Sequence, residues 1–196
     1  MNKRADIVIS VAAGGFAGMR AVQFWKTHET AYLLTSLYGC ILCYYAATRR
    51  PPEAIDQSRS CTAVMLLHMF MPFLVMESND LNFKRFGWAL GILGTAGAAW
   101  TLADLGRSFG LLPANRGLVV AGAYTWVRHP LYLCYIVALL GMIFTSGLSF
   151  CNVLLFIAYI TVTAVRICYE EKLLSTDAEY VKYCRVTKYR LIPMLF

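Results

Sequence analysis

Read from its first residue, the chain alternates long apolar runs with short polar breaks. Apolar residues dominate at about 7–25, 30–48, 61–76, 86–105, 131–147 and 149–168, each near the ~17–25 residues that a membrane-spanning helix needs. The third run is short and holds Pro72, so either little tilt or a kink is expected there. Only "TSGLS" separates the last two runs, which predicts a tight helical hairpin. Counting that hairpin as two spans or as one re-entrant unit gives five to six transmembrane segments. The first run carries Arg20 and lacks a small-residue cleavage site, so it is read as a retained span and not a signal peptide. The pattern predicts an all-α integral membrane protein built as a multi-span helical bundle.

Composition agrees. Of 196 residues, 59% are hydrophobic and 15% charged, with a mean hydropathy of +0.56; soluble domains carry roughly 25% charged residues. The net charge of +7 would admit a nucleic-acid ligand, but the basic residues lie between apolar runs and form no single patch. Juxtamembrane anchoring accounts for them, so membrane lipids and not nucleic acid are the expected partners. Fourteen Lys and Arg, from Lys3 and Arg4 through Arg49, Arg50 and Arg107 to Arg190, fall on one side of the bundle; Lys26, Lys84 and Arg85 fall on the other. That bias puts both termini in the cytoplasm. The seven cysteines fall mostly inside apolar runs and read as small buried hydrophobes in a reduced setting. His28 and His68 are isolated, without partners at ligand spacing, so no metal is assigned.

Candidate chemistry concentrates in two polar stretches on the expected cytoplasmic side. The first is "NRGLVVAGAYTWVRHPLY", residues 115–132. Gly117 and Gly122 permit close backbone approach, and the helix beginning at Pro130 offers free amides and a positive dipole end suited to an anionic group. Arg128 and His129 add donors; Tyr124 and Tyr132 add flat faces and hydroxyls. The second is "RICYEEKLLSTDAEYVKYCRVTKYRLIP", residues 166–193. Arg166 and Glu170 are four apart and are expected to share a helix face, at a depth where ionisable groups are costly. Glu171 and Lys172 read as solvated surface charges. Leu173, Leu174, Tyr180, Val181 and Tyr183 suggest an amphipathic interfacial helix. Asp104 and Arg107 read as a structural pair capping the fourth span.

At these residues the chain resembles a known family. "GLVVAGAYTWVRHPLY" is similar to the Leu-Val-x-x-Gly-x-Tyr-x-x-x-Arg-His-Pro-x-Tyr signature of isoprenylcysteine carboxyl methyltransferases and related membrane phospholipid methyltransferases. "RICYEEKLL" resembles their Arg-x-x-x-Glu-Glu-x-x-Leu element, and "EYVKYCRVTKYRLIP" their closing Tyr-x-x-Tyr and Leu-Ile-Pro. The resemblance covers residues 106–196; the first 105 residues match only in being transmembrane. It implies N-terminal transmembrane helices over 1–105 and a catalytic core over 106–196 with a cytoplasmic cofactor pocket. It further implies S-adenosyl-L-methionine as cofactor, with no soluble nucleotide-binding domain. "AAGGFAG" sits inside the first span without a preceding strand and offers no substitute for one. Carried over by position, Leu118, Val119, Tyr124, His129, Pro130, Tyr132 and Glu170 would line the cofactor pocket. Arg166, Glu170 and Arg128 would serve catalysis, with Arg166 facing the acceptor carboxylate.

The implied reaction is methyl transfer to a lipophilic acceptor delivered from the bilayer, foremost a prenylcysteine-type carboxylate. A phospholipid amine or a small hydrophobic thiol or acid is the alternative acceptor. An NADPH-dependent sterol-reductase-like enzyme would need further basic residues at the pocket, and a non-catalytic scaffold would tolerate loss of Arg128, His129 and Glu170. The implied membrane is the plasma membrane in a bacterium or the endoplasmic reticulum in a eukaryote. Two positions depart from the family pattern. Arg116 stands where many members have histidine, and "EEKLLSTDAEY" is about two residues shorter than usual and lacks the common Phe-Gly.

Overall fold

Each apolar run folds as a helix. The structure, a computed structural model, describes residues 3–27, 30–77 and 82–194; His28 and the side chains of Lys3 and Arg4 lie outside what is described. In chain order the helices are α1 (Lys3–Thr27), α2 (Thr30–Thr48), α3 (Arg59–Phe70), α4 (Lys84–Leu105), α5 (Pro130–Ser146), α6 (Phe150–Leu174) and α7 (Ala178–Val186). Of the two expectations for the third run, a break at Pro72 fits: α3 gives way to a 3-10 turn, Met71–Leu74, with Pro72 in its first turn, because proline supplies no N–H and crowds the preceding turn. The hairpin is also present. Gly147, at φ 96°, ends α5 in a conformation that other residues rarely adopt, and the Ser149 side chain caps α6 by accepting from Asn152 N at 3.1 Å.

Two expectations need correction. The helical class is interrupted by a short antiparallel pair, β1 (Ala54–Ile55) against β2 (Ala114–Asn115), in the register Ala54 to Asn115 and Ile55 to Ala114. Pro51 and Pro52 favour extended backbone just before it, and the pair ties the loop after α2 to the loop after α4. The amphipathic tail is also shorter than expected. Leu173 and Leu174 end α6, and α7 starts afresh behind Asp177, whose side chain accepts from Glu179 N at 2.8 Å. As for the cysteines, Cys61 is buried, whereas Cys40, Cys151 and Cys168 are exposed on outer helix faces.

Among the described residues, α4 continued to Ser108 and α6 are long and apolar enough to cross a membrane; Arg59–Leu74 and α5 are apolar but shorter. Their outer faces carry large apolar side chains, including Leu93, Trp100, Phe150, Leu154 and Ile157, which lipid would cover. Inside the bundle, small residues let α4 and α5 approach closely. A Cβ on Gly94 would lie 2.7 Å from Ala138 Cα, and one on Gly87 would lie 2.6 Å from Thr145 N, the close backbone approach favoured where helices pack in membranes. Away from the polar stretches, buried Asn152 latches the chain. It accepts from Met76 N at 3.0 Å and donates to the carbonyls of Met76 and Gly147, both at 2.9 Å.

The polar loops gather at the opposite end of the bundle. Arg50 N donates to Arg107 O at 2.7 Å, and Asn115 Nδ2 donates to Asp177 Oδ2 at 3.1 Å. The ends of α2, α4 and α6 and the starts of α3 and α5 therefore share one end, and with it the 106–130 loop and the tail.

Candidate functional site

The 106–130 loop is shaped by Asp104 and Arg107, though not as a pair. Arg107 Nε donates to Thr48 O at 2.6 Å, while Asp104 accepts from Ala123 N at 3.1 Å. The carboxylate thus caps the 3-10 turn Gly122–Thr125, where free N–H groups point outward. Gly122 makes that approach possible. Its φ is 59°, and a side chain there would occupy the space of the Asp104 carboxylate. The turn in turn buries Tyr124.

From this turn the chain enters Arg128-His129-Pro130. Pro130 starts α5, as its missing N–H allows. The free amides expected beside it are not free: Arg128 N donates to Tyr189 O at 2.9 Å and His129 N to Arg190 O at 2.8 Å. The Leu-Ile-Pro tail is therefore laid against the start of α5. The side chains converge on Glu171. Its Oε1 accepts from Arg128 Nε at 2.9 Å and lies 3.3 Å from His129 Nε2, while its Oε2 pairs with Arg190 at 2.8 Å. Burial of the carboxylate leaves it 14% exposed, so these charge-assisted contacts are far stronger than a surface pair. Reading Glu171 as a solvated charge is thus overturned. The bond to the Glu171 carboxylate also raises the Arg190 pKa above its ordinary value. Arg128 reaches further, from Nη1 to Thr187 O at 3.3 Å.

Glu170, one position earlier, faces a different partner. Tyr132 donates its hydroxyl to Glu170 Oε2 at 2.5 Å, and the His129 ring stacks on Tyr132 with centroids 5.6 Å apart. The expected pairing of Arg166 with Glu170 is replaced by neutral contacts. Arg166 is 6% exposed; its Nη1 lies 3.0 Å from His68 Nδ1, its Nη2 donates to Leu111 O at 3.0 Å, and its guanidinium lies 5.0 Å from the Tyr132 ring centroid. Its Nε is buried with no hydrogen-bond partner.

A cleft of about 390 Å³ opens nearby between the 118–125 segment and α7, lined by Leu118, Val120, Thr125, Glu179, Lys182 and Tyr183, with Val186 and Thr187 at its side. Its size falls within the ~300–1,000 Å³ of small-molecule pockets. Tyr183 closes one wall and donates to Tyr124 O at 2.5 Å. Val119 is half-buried beside Leu118. Arg116, at the position where the family pattern has histidine, turns inward and donates to Arg50 O. The hydroxyl of Tyr180 on α7 is buried without a partner.

The structure therefore brings His129, Tyr132, Glu170 and Arg166 into one connected cluster and sets Leu118 on the adjoining cleft. Glu171, Arg190 and His68 join that cluster unforeseen. His68 had a signal: with Cys61 and Met65 it falls at i, i+4 and i+7, the buried face of α3.

Fold and site together define a helical membrane protein whose polar residues are gathered at one end of the bundle. Residues 88–176 match the model of the isoprenylcysteine carboxyl methyltransferase family. A solved structure, described as the eukaryotic intramembrane Ras methyltransferase isoprenylcysteine carboxyl methyltransferase, superposes with a TM-score of 0.52 at 18% identity, covering 97% of this chain and 77% of that one. No curated protein matches in sequence. The sequence likeness to that family is carried by residues 88–176, and the likeness in fold by nearly the whole chain.

Proposed function

We propose that the chain transfers a methyl group from S-adenosyl-L-methionine to a lipophilic carboxylic acid of the prenylcysteine type, delivered from the bilayer. One observation carries the acceptor assignment. Arg166 is a buried cation whose hydrogen-bond partners are neutral, with Nε unpartnered. A desolvated charge costs several kcal/mol unless it is paired; the Glu170 carboxylate acts on it without a direct bond and offsets part of it, and the guanidinium still favours an incoming carboxylate over a lipid amine.

The residues present fit the cofactor. The Tyr180 hydroxyl is a buried polar atom awaiting a partner, the cleft beside Leu118 is mainly apolar, and Glu170 holds its carboxylate on the Tyr132 hydroxyl. Leu118, Val119, Tyr124, His129, Pro130, Tyr132 and Glu170 would hold it. When bound, S-adenosyl-L-methionine supplies a sulfonium-activated methyl whose transfer needs no strong base. The protein then contributes position and dryness. Arg166 orients the acceptor oxygen, Tyr132 fixes Glu170, and Glu171 with Arg128 and Arg190 clamps the tail over the start of α5. Arg128 acts through Glu171, as a positioning residue. The reading includes five to six spans and a cytoplasmic site, since the basic residues crowd the end that bears it.

Calorimetry on detergent-purified protein tests the cofactor. Saturable binding of S-adenosyl-L-methionine but not NADPH, lost in His129→Ala and in Glu170→Ala, is expected. A folded protein that binds neither would leave a membrane scaffold as the better reading.

A further inference from the structure

His68 lies on α3, outside the family-matched segment, yet it is 3% exposed and bonded to the residue proposed to meet the acceptor. Its protons can be placed from its neighbours. A guanidinium donates and never accepts, so His68 Nδ1 is the acceptor from Arg166 Nη1 at 3.0 Å. The proton must then sit on Nε2, 3.1 Å from Thr163 Oγ1. The Thr163 hydroxyl spends its own hydrogen on Tyr159 O at 2.7 Å, which leaves its oxygen to accept from His68. The ring is further held by stacking on Tyr159, with centroids 4.5 Å apart at 27°. Donors and acceptors thus alternate without conflict from the Tyr159 carbonyl to Arg166, and His68 is neutral.

A carboxylate in place of His68 would hold Arg166 equally well but would cancel its charge. A neutral acceptor holds the guanidinium without adding to the partial offset from Glu170, which makes no direct bond to it, and leaves the remaining charge for a ligand. With Nη1 on His68 and Nη2 on Leu111 O, the unpartnered Nε–H remains to be satisfied. We propose that His68 is a positioning residue for the acceptor: it fixes Arg166 with its charge intact, so that a free carboxylate binds in preference to the methyl ester formed from it. The inference rests on the acceptor reading given above. It also assigns a role in product release, because the neutral ester loses the charge-assisted contact that held the acid.

The test uses the full chain in detergent micelles, with N-acetyl-S-farnesylcysteine and its methyl ester as probes and S-adenosyl-L-methionine affinity as an internal control. The wild type should bind the acid about tenfold or more tightly than the ester, the loss expected when one charge-assisted hydrogen bond is removed. His68→Asn keeps an acceptor oxygen where Nδ1 stands and should retain that preference. His68→Leu and His68→Gln should lose it, with cofactor affinity changed by less than about threefold and the acceptor KM, not kcat, carrying the defect. Should His68→Leu fail to fold, the Asn and Gln variants, both polar and amide-bearing, still decide: equal behaviour of the two overturns the role of the Arg-facing nitrogen. A wild type without preference for the acid sinks the carboxylate reading and this inference with it. A preference that survives in His68→Leu sinks this inference alone.

Discussion

Replacing Glu171 with glutamine removes one charge and keeps the side chain's shape. In the native protein its two oxygens are shared among Arg128, His129 and Arg190, with Arg128 only 10% exposed and Arg190 36% exposed. Breaking a buried pair from one side typically costs ~3–5 kcal/mol, since the remaining charge stays desolvated. The half-open Arg190 contact adds no more than about 1 kcal/mol, and water reaching Arg128 takes part of the penalty back. A net loss of about 3 kcal/mol in the docking of the tail is the reasonable figure. The amides that report it are those of Arg128 and His129, whose hydrogen bonds to Tyr189 O and Arg190 O exist only while the tail is docked. If they exchange through that local opening, hydrogen exchange over 126–132 should accelerate on the order of a hundredfold in Glu171→Gln. The exposed Lys172→Gln should leave it unchanged. Protection within about threefold of wild type in Glu171→Gln would mean that the carboxylate does not hold the tail.

Gly94→Ala should weaken α4–α5 packing, because its Cβ would lie 2.7 Å from Ala138 Cα, whereas the open Gly18→Ala should be silent; a loss of about 1–3 kcal/mol in detergent unfolding is expected, and equal stability of the two variants would contradict it. Tyr183 gives a pH signature. Burial pushes its phenol up to about 12 from an ordinary 10, so its contribution is full below about pH 10 and is lost as pH rises through about 12. Deprotonation also removes the donor to Tyr124 O. Thermal unfolding across that window should fall less steeply in Tyr183→Phe, and an identical fall in both proteins would refute the assignment.

Much of the scaffold was legible because a span announces itself over many residues. Stretches of about twenty positions dominated by apolar residues cannot be disguised, and Pro72 and Gly147 act locally, so the break after α3 and the hairpin could be placed from the chain alone. The β1–β2 pair escaped notice because two residues per strand carry no periodicity. The site divides along the same line. Arg128, His129, Tyr132, Glu170 and Arg166 stand in a recognisable order, but partners depend on which helix faces which. Glu170 and Glu171 are neighbours about 100° apart around α6, so one meets Tyr132 and the other meets Arg128; nothing in "EEKLL" says which. Arg166 and Glu170 had the spacing to pair, yet α3 supplied His68 from nearly a hundred residues away, and no local spacing can reveal that. The free amides expected at Pro130 were likewise taken by the distant tail.

The most direct test is to incubate the purified protein with methyl-labelled S-adenosyl-L-methionine and N-acetyl-S-farnesylcysteine, then treat the extracted product with base. Carboxyl O-methylation predicts label in the farnesylated acid that base releases as methanol, absent with the methyl ester as acceptor and lost in Arg166→Ala. Base-stable label, or label carried by a lipid amine instead, would contradict it.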